Sequence, residues 1–258
     1  MRTNYHTHTC RCGHASGYEE DYVKEAIKNN VKILGFSDHG PFESCIRDFR
    51  MPFSEFPEYL YSIDKLKEKY ANDITLLKSV EIEYFQEELN FYEKLLSKYD
   101  LDYLLLGQHM YNDKNHKLIT YDQITDSSYF IDYANTLVEA MDTKLFKIIA
   151  HPDFFCKFLF PWDYNCEKAS YEIINAAFKN NSVLEINANG IRVGLTEAPE
   201  GKRYIYPDER FWEKVSKTEL RVIINSDCHN PENLWDDSMD KAYNFAKKLN
   251  IKIHDCIK

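Results

Sequence analysis

The regular alternation of short apolar runs with helix-like segments is the feature that most limits how this chain can fold. Seven runs, most of them rich in β-branched, leucine and aromatic residues, predict strands. Each run ends in polar residues and is followed by a segment of helical periodicity. The predicted strands cover residues 2–6, 31–39, 74–84, 101–109, 146–153, 183–190 and 221–229.

Amphipathic stripes predict the helices between these strands, and two examples show the spacing clearly. The first stripe is Phe56, Tyr59, Leu60, Ile63, Leu66 and Tyr70, and the second is Ala242, Tyr243, Ala246 and Leu249. Strands that alternate with helices are parallel and joined by right-handed crossovers, and apolar strands fit a sheet covered on both faces. The pattern therefore favours a closed α/β barrel, with an open parallel sheet as the alternative.

Composition agrees with one domain over residues 1–258. The chain is 44% hydrophobic, which is enough to bury a full core, and it holds no internal repeat, low-complexity tract or linker-like segment. A formal charge of -10 argues against broad binding to a nucleic-acid backbone, which rewards clustered Lys and Arg. A small anionic substrate would then need local positive charge from metal ions or arginines.

The sequence predicts a cytoplasmic protein with reduced thiols. No signal-peptide pattern precedes the first predicted strand, and no apolar run approaches the roughly 18 residues of a membrane helix. The seven cysteines are an odd number and lack the tight spacing of a small secreted domain. The pattern indicates no membrane partner and leaves the oligomeric state open.

Residues able to bind metal ions stand at the end of almost every predicted strand. In an α/β barrel the carboxyl ends of the strands meet at one mouth, so residues distant in sequence become neighbours there. The sequence therefore predicts a metal site at the C-terminal mouth of a barrel. The residues concerned are His6, His8, Asp38, His39, Glu81, Glu83, His109, His151, Asp153, Asp227 and His229, with His14 soon after the first strand.

Local spacing supports this prediction. His6 and His8 are two residues apart, so on an extended strand both imidazoles project from one face and can bind one ion. The same spacing relates Asp227 and His229. Imidazoles combined with carboxylates suit Zn, Mn or Fe, and a carboxylate such as Glu81 can bridge two ions. The sequence therefore predicts two or more metal ions.

Each motif taken singly is weak, because short pairs of His and Asp recur by chance on surfaces and in cores. Cys10 and Cys12 resemble half of a zinc knuckle, but no second Cys pair completes it. Cys228 is a poor candidate nucleophile, since a strand would point it away from the face of its neighbours. His116 and His254 fall outside the set and are expected to be structural.

The motifs HTHTCRCGHA, GFSDHG, EIEY, GQHM, AHPD and NSDCH occur in this order between residues 4 and 230. The series resembles the PHP (polymerase and histidinol phosphatase) superfamily and, within it, the stand-alone histidinol-phosphate phosphatases. The resemblance implies a distorted, TIM-like (β/α)7 barrel that holds three divalent metal ions and hydrolyses L-histidinol phosphate. Gln108 in GQHM stands where a serine is common in relatives, which leaves the adjacent His109 intact.

The resemblance also implies how nine ligands divide among the three ions, with one carboxylate shared between two of them. The implied sets are His6, His8, Glu81 and Asp227 for the first ion, Glu81, His109 and His151 for the second, and His14, His39 and His229 for the third.

Several metal ions around one phosphate indicate hydrolysis without a protein nucleophile. A bound ion lowers the pKa of water from about 15.7 to about 7, and paired ions stabilise both the attacking and the leaving oxygen. The predicted reaction is in-line attack of a metal-bridging hydroxide on phosphorus. Asp38 and Asp153 are predicted to orient ligand imidazoles or to transfer a proton, with a helix cap as the alternative role for either.

Arg192, just beyond the sixth predicted strand, is the predicted phosphate clamp, because a guanidinium can bind phosphate with two hydrogen bonds. A surface salt bridge is its alternative role. Arg47, Lys202 and Arg203 are weaker candidates for the same contact. The aromatic-rich segments that follow two ligand-bearing strands are predicted either to form a lid with a ring for stacking or to pack as ordinary loops; they are 40–57 and 152–166.

Other functions stay open beside histidinol-phosphate hydrolysis. A phosphatase for another small monoester, such as a sugar phosphate, a nucleotide or phosphotyrosine, would use the same fold and the same ions. A PHP nuclease is disfavoured by the acidic composition and the lack of a basic stripe. A barrel that has lost activity is disfavoured because no expected ligand is missing.

Overall fold

The computed structural model describes residues 1–43 and 49–257, and within them strands and helices alternate as the sequence predicts. The strands are β1 (Arg2–Asn4), β2 (Val31–Phe36), β3 (Thr75–Lys78), β4 (Glu81–Ile82), β5 (Leu105–Leu106), β6 (Tyr111–Asn112), β7 (Leu118–Ile119), β8 (Ile148–Ile149), β9 (Val183–Asn187), β10 (Thr196–Ala198), β11 (Gly201–Arg203) and β12 (Arg221–Asn225). All seven predicted strands are present, although each is shorter than predicted.

The α-helices are α1 (Glu19–Lys28), α2 (Phe56–Lys69), α3 (Leu89–Ser97), α4 (Tyr129–Asp142), α5 (Tyr164–Asn180), α6 (Ala188–Arg192), α7 (Glu209–Val215) and α8 (Asp237–Lys248). Short 3-10 turns lie at Cys10–Cys12, Phe53–Glu55, Gln86–Glu88, Tyr121–Gln123, Phe154–Phe158 and Pro231–Asn233. Within the described part of the chain, no helix combines the length and the apolar character needed to cross a bilayer.

The parallel strands form two sheets that together trace a ring. One sheet has the order β1-β2-β3, and the other has the order β12-β9-β8-β5-β4. β3 and β4 are one predicted strand, interrupted at Ser79 and Val80, and its halves belong to different sheets. Parallel bridges between His39 and Glu81 and between Thr7 and Cys228 join the sheets on both sides. The result is a distorted α/β barrel of TIM-like type, in agreement with the predicted fold class.

Two small antiparallel pairs, β6 with β7 and β10 with β11, were not among the predicted elements. Each has only two or three residues per strand, so alternation of apolar and polar residues leaves too short a pattern to detect. Both lie in the connections beyond the carboxyl ends of barrel strands. They lengthen the loops around the mouth without changing the order of the ring.

The core has an inner and an outer part, as expected for a barrel. Side chains from several strands fill the interior, among them Tyr5, Tyr103, Leu105, Ile148, Val183 and Ile223. The outer part lies between the strands and the apolar faces of the helices. The predicted stripe on α2 is confirmed, because Phe56, Tyr59, Ile63 and Leu66 are buried. On α8, Ala242 and Ala246 are buried while Tyr243 packs partly against the core.

Polar caps set the start of several helices. Asp163, Asp208 and Asp236 precede α5, α7 and α8, and each carboxylate accepts a backbone N–H of the first turn. Asn187 does the same for Asn189 at the start of α6. The predicted strand 183–190 therefore ends at Asn187, because the side chain of that residue turns the chain into a short helix.

Candidate metal centre

The nine residues predicted as metal ligands lie together at the carboxyl ends of the barrel strands. Most of them line a cavity of about 340 Å³ at the mouth, and His6 and His8 lie buried at its floor. Glu81 stands at the centre, because its two carboxylate oxygens face imidazoles from different strands. A Cβ at Gly107 would lie 1.9 Å from this carboxylate, so only glycine leaves room for it on the next strand.

The first group comprises His6, His8, Glu81 and Asp227, and all four side chains are buried. His6 Nε2 lies 3.0 Å from His8 Nε2, 3.3 Å from Glu81 Oε2 and 3.5 Å from Asp227 Oδ1. His8 Nε2 lies 3.4 Å from the same Glu81 oxygen and 3.1 Å from the same Asp227 oxygen. Four donor atoms therefore converge on one point.

These separations fit a metal ion. A tetrahedral ion with ligand bonds of about 2.0–2.1 Å holds its ligand atoms about 3.4 Å apart. An imidazole nitrogen without a proton and a carboxylate oxygen that face one another repel unless a cation lies between them. Because the four atoms of the first group lie 3.0–3.5 Å apart, the donor set and its spacing suit a divalent ion.

The second group shares Glu81 with the first and adds His109 and His151. Glu81 Oε1 lies 3.5 Å from His109 Nε2 and 3.0 Å from His151 Nε2. The other ring nitrogen of His109, Nδ1, lies 3.2 Å from the carboxylate of Glu83. Glu83 therefore fixes the orientation of the His109 ring, while Glu81 presents one oxygen to each group.

The third group comprises His14, His39 and His229, and it lies nearer to solvent. One ring nitrogen from each of the three lies within 4.8 Å of the other two. His39 Nδ1 is also 3.1 Å from Glu81 Oε2, so this group adjoins the central carboxylate. All three could bind a further ion with small side-chain rotations.

Burial and neighbouring charges favour the metal-binding forms of Glu81, Asp227, His39 and His229. Burial by itself would raise the pKa of Glu81 and Asp227, but the neighbouring imidazoles outweigh it and hold both pKa values well below the usual range. Burial lowers the pKa of His39 well below its usual value and the pKa of His229 to about 4. Ionised carboxylates and neutral imidazoles are the required ligand forms.

His6 shows how strongly the first group attracts positive charge. Burial acts to lower its pKa, yet Asp227, Glu185 and Glu81 together raise it well above the usual value. Three carboxylates around one buried imidazole are stable only with a positive charge among them. A proton or a metal ion can supply that charge, and a divalent ion supplies more of it.

Three buried polar residues that the sequence did not predict hold the first group in place. Glu185 Oε1 lies 2.8 Å from His6 Nδ1 and also accepts the amide N–H of Asn225. Asn187 donates to both Glu185 and Asp227. For Glu185 and Asn187 the signal was a carboxylate and an amide inside the apolar run VLEIN, and for Asn225 it was an amide at the end of RVIIN, where polar side chains are expected only with partners.

Two ligands stand on unusual backbone. His151 has φ of 29° and Asp227 has φ of 47°, in the region that residues with a side chain rarely occupy. The prediction that Asp227 and His229 share one face of an extended strand was therefore wrong, because β12 ends at Asn225 and the chain turns at Asp227. The spacing prediction is confirmed for His6 and His8, which flank the bridge residue Thr7.

Asp38 and Asp153, predicted to orient ligand imidazoles, are bonded elsewhere among the described residues. Asp38 accepts the backbone N–H and the hydroxyl of Thr9, both at 2.7 Å. Asp153 accepts the backbone N–H of Asp208 at 2.7 Å and the indole N–H of Trp212 at 3.0 Å. Burial raises the pKa of both carboxyls to about 7. The imidazole-orienting role is therefore corrected: both side chains brace loops, and a proton-transfer role stays a prediction.

Arg192, the predicted phosphate clamp, points away from the cavity. Its guanidinium donates to the Asp236 carboxylate at 2.7 Å and also to Ser226 and the carbonyl of Asn233. Arg192 is not among the residues that line the cavity. The geometry corrects the prediction in favour of its alternative, a structural salt bridge that ties α6 to the start of α8.

The weaker clamp candidates are also placed away from the cavity wall. Lys202 pairs with Glu197, and Arg203 pairs with Asp208 and donates to the carbonyls of Tyr204 and Cys156. Arg47 and residues 44–48 in general lie outside the described residues.

The cavity wall instead uses residues from several loops. Beside the histidines and carboxylates it comprises Phe49, Arg50, Met110, Tyr121, Phe154, Lys157, Asn189 and Tyr206. Arg50 is bound on both sides, since it donates to the Glu83 carboxylate at 2.9 Å and to the Gly40 carbonyl at 2.7 Å. Of the predicted lid 152–166, Phe154 reaches the cavity, whereas Trp162 packs against Phe155 outside it.

The remaining sequence candidates do not join the centre. Cys12 lies near His8 and His229, but its thiol donates to the Thr9 carbonyl and burial raises its pKa to about 12, so it stays protonated. Burial likewise raises the pKa of Cys228 to about 12, which argues against a nucleophile. His116 is exposed. Gln108 bonds the backbone of Tyr84 and Met110 rather than a ligand.

The fold and the site together define a class: an α/β barrel whose strand ends present a cluster of histidines and carboxylates suited to divalent metal ions. The PHP domain model matches residues 4–189 of this chain. The chain therefore belongs to the PHP domain family.

Relatives with known or assigned activities cover nearly the whole chain. A probable histidinol-phosphatase of Schizosaccharomyces pombe is 26% identical over an alignment that covers 90% of this chain and 81% of that protein. The histidinol-phosphatase of Bacillus subtilis is 20% identical, covering 87% of this chain and 92% of that protein.

A crystal structure of histidinol phosphate phosphatase from Lactococcus lactis, in complex with zinc, L-histidinol and phosphate, has the same fold. It superposes with a TM-score of 0.74 at 17% identity and covers 98% of this chain and 95% of that one.

Proposed function

We propose that this protein is a metal-dependent phosphatase that hydrolyses L-histidinol phosphate to L-histidinol and phosphate. The observation that carries the proposal is the position of Glu81, whose two oxygens face two separate groups of imidazoles. Two relatives that align over most of the chain are histidinol-phosphatases or probable histidinol-phosphatases, which supports the choice of substrate. The reaction would place the enzyme in cytoplasmic histidine biosynthesis, carried out by one domain over residues 1–258.

In this proposal the three groups hold three divalent ions, of Zn, Mn or Fe. The first group would hold one ion, the second group would share Glu81 with it, and the third group would hold the most exposed ion. When bound, such ions polarise the phosphoryl oxygens and lower the pKa of a coordinated water toward about 7.

The residues of the chain orient the ligands and keep their protons in place. Glu185 accepts a hydrogen bond from the Nδ1–H of His6, which leaves Nε2 without a proton and able to bind metal. Glu83 does the same for His109 through its Nδ1. Asn187 donates to Asp227 and so fixes the rotation of that carboxylate. Ligand geometry is thus set by hydrogen bonds that do not depend on the substrate.

The leaving alcohol would lie against the aromatic part of the wall. Phe154 packs within 4.9 Å of the His151 ring and within 5.6 Å of Tyr206, measured between ring centroids. Tyr121 stands at 5.5 Å from Phe154. Flat rings at the mouth of the cavity provide a surface on which the imidazole of L-histidinol can stack.

The test combines metal analysis with a comparison of substrates. The purified protein is assayed for Zn, Mn and Fe, and phosphate release is measured from L-histidinol phosphate, p-nitrophenyl phosphate, and sugar and nucleotide monophosphates. We expect two to three ions per chain and a kcat/KM for L-histidinol phosphate at least about 100-fold above the others, since a fitted pocket discriminates by that much or more.

Three results would contradict the proposal. Full metal content with equal, slow turnover of every ester would keep the metal centre but reject histidinol phosphate as the substrate. A protein without bound metal after reconstitution would reject the centre itself. Preference for a nucleotide or a sugar phosphate would assign the alternative phosphatase.

A further inference from the structure

Lys157 is a cation of the cavity wall, and none of the carboxylates in residues 1–43 and 49–257 pairs with it. It lies on the 3-10 turn Phe154–Phe158 and its ammonium is held by aromatic faces, 3.9 Å from the centroid of Tyr121 and 4.4 Å from that of Phe154. Within residues 1–43 and 49–257, no hydrogen-bond acceptor or carboxylate lies in bonding range of its ammonium. Arg50, another cation of the wall, is already paired with Glu83.

The aromatic rings around this ammonium compensate only part of the free-energy cost of removing it from water. Contact with an aromatic face stabilises a cation by about 0.5–2 kcal/mol, which is less than a charged hydrogen bond in a desolvated site offers. Burial lowers the pKa of Lys157 to about 8, so removal from water is only partly compensated. An anion in the cavity would restore the missing interaction.

The ammonium lies close to the place where a phosphoryl group would bind. The Phe154 ring that carries Lys157 on one side is 5.3 Å from the ring of His109 and 4.9 Å from the ring of His151, between centroids. These two imidazoles belong to the second group. Lys157 therefore contacts the same aromatic ring as two imidazoles of a metal-binding group, and all three residues line one cavity.

We propose that Lys157 binds a phosphoryl oxygen of the substrate and of the product phosphate, as a cation that the protein itself supplies to the site. This role rests on the proposed phosphatase function and replaces the one that the sequence suggested for Arg192. In this proposal the turn Phe154–Phe158 contacts the dianionic phosphoryl group, in addition to the contacts made by metal ions.

The test measures binding of inorganic phosphate to the metal-loaded protein by isothermal titration calorimetry. Lys157→Met removes the charge and keeps an apolar stem against the rings, whereas Lys157→Arg keeps the charge. Lys168→Met is the matched control, because Lys168 is exposed on α5 outside the cavity. Metal content of each variant is determined on the same samples.

We expect the phosphate Kd of Lys157→Met to rise by about 10- to 100-fold, as for loss of a hydrogen bond to a charged group. Lys157→Arg should recover most of this loss, and Lys168→Met should bind phosphate like the parent protein. A Kd for Lys157→Met within about twofold of the parent, or an equal loss in Lys168→Met, would overturn the proposal, as would loss of metal from Lys157→Met.

The readout separates this proposal from the proposed substrate. Phosphate binding does not require turnover of L-histidinol phosphate, so a protein inactive on that ester can still show the dependence on Lys157. Conversely, strong hydrolysis of L-histidinol phosphate together with unchanged phosphate binding in Lys157→Met would uphold the function and reject the role of Lys157.

Discussion

The first and third groups contain similar residue types but are built very differently. His6 and His8 are fully buried, and the first group includes two carboxylates, one of which, Asp227, accepts a hydrogen bond from Asn187. The third group has three imidazoles, and two of them are hydrogen-bonded to backbone carbonyls: His14 Nδ1 to Cys12 and His229 Nδ1 to Asp227. His14 is exposed to solvent.

The difference teaches how one cluster can bind its ions with unequal strength. A group with two carboxylates and fixed rings offers negative charge and loses little side-chain freedom when it binds an ion. A group of three neutral imidazoles, one of them exposed, supplies no carboxylate charge of its own. The first group is therefore expected to retain its ion when the third group exchanges with solution.

The largest effect is expected where the groups meet. Glu81→Gln removes the negative charge that faces the first and second groups, so both should lose metal and kcat should fall on the order of 10³-fold, equivalent to several kcal/mol of lost stabilisation. Metal content and phosphate release are measured in parallel. The control is Glu93→Gln, an exposed carboxylate on α3.

Retention of full metal content and activity in Glu81→Gln would show that the central carboxylate does not join the groups. A loss of metal from only one group would restrict its role to that group.

An intermediate effect is expected from the hydrogen bonds behind the first group. Glu185→Gln weakens the bond to His6 Nδ1 and should reduce metal affinity or activity by about 10- to 100-fold. Competition with a fluorescent chelator gives the affinity, and Glu172→Gln on the exposed face of α5 serves as the control. Equal affinities in the two variants would mean that Glu185 contributes only to folding.

The smallest effect is expected in the third group. His14→Ala should lose about one ion per chain, leave the others bound, and reduce activity by roughly tenfold, because an exposed imidazole contributes less than a buried carboxylate. Stepwise addition of chelator to the parent protein should remove one ion before the rest. Simultaneous loss of all ions in either experiment would contradict unequal binding by the groups.

The clustering of residues at strand ends was predictable from the sequence, because the carboxyl ends of parallel strands meet at one mouth regardless of the connecting segments. The motif order alone therefore placed His109 beside Glu81 and Asp227 beside His8, as the structure has them. The same reasoning placed the apolar stripe of α2 on the core. These are consequences of strand direction and helical period, which short stretches of sequence encode.

Side-chain partners were not predictable, since they depend on distances that the order of motifs leaves open. Arg192 follows the end of a barrel strand, where a phosphate clamp is expected, but its guanidinium forms a salt bridge with Asp236 at 2.7 Å instead. Glu185 gave only a weak signal, a charge within an apolar strand. Lys157 lies among aromatic residues in the sequence, and only its position on the cavity wall distinguishes a ligand-binding role from a role in loop packing.

The barrel closes between its first and last strands, and the first group lies on that seam. His6 and His8 come from one side, Asp227 comes from the other, and Tyr5 is hydrogen-bonded to Asn225, 220 residues further along the chain. An ion in the first group would act as a cross-link between the two ends of the chain. Because closing so long a loop costs the chain much conformational entropy, a bound ion would stabilise the closed barrel as well as take part in the reaction.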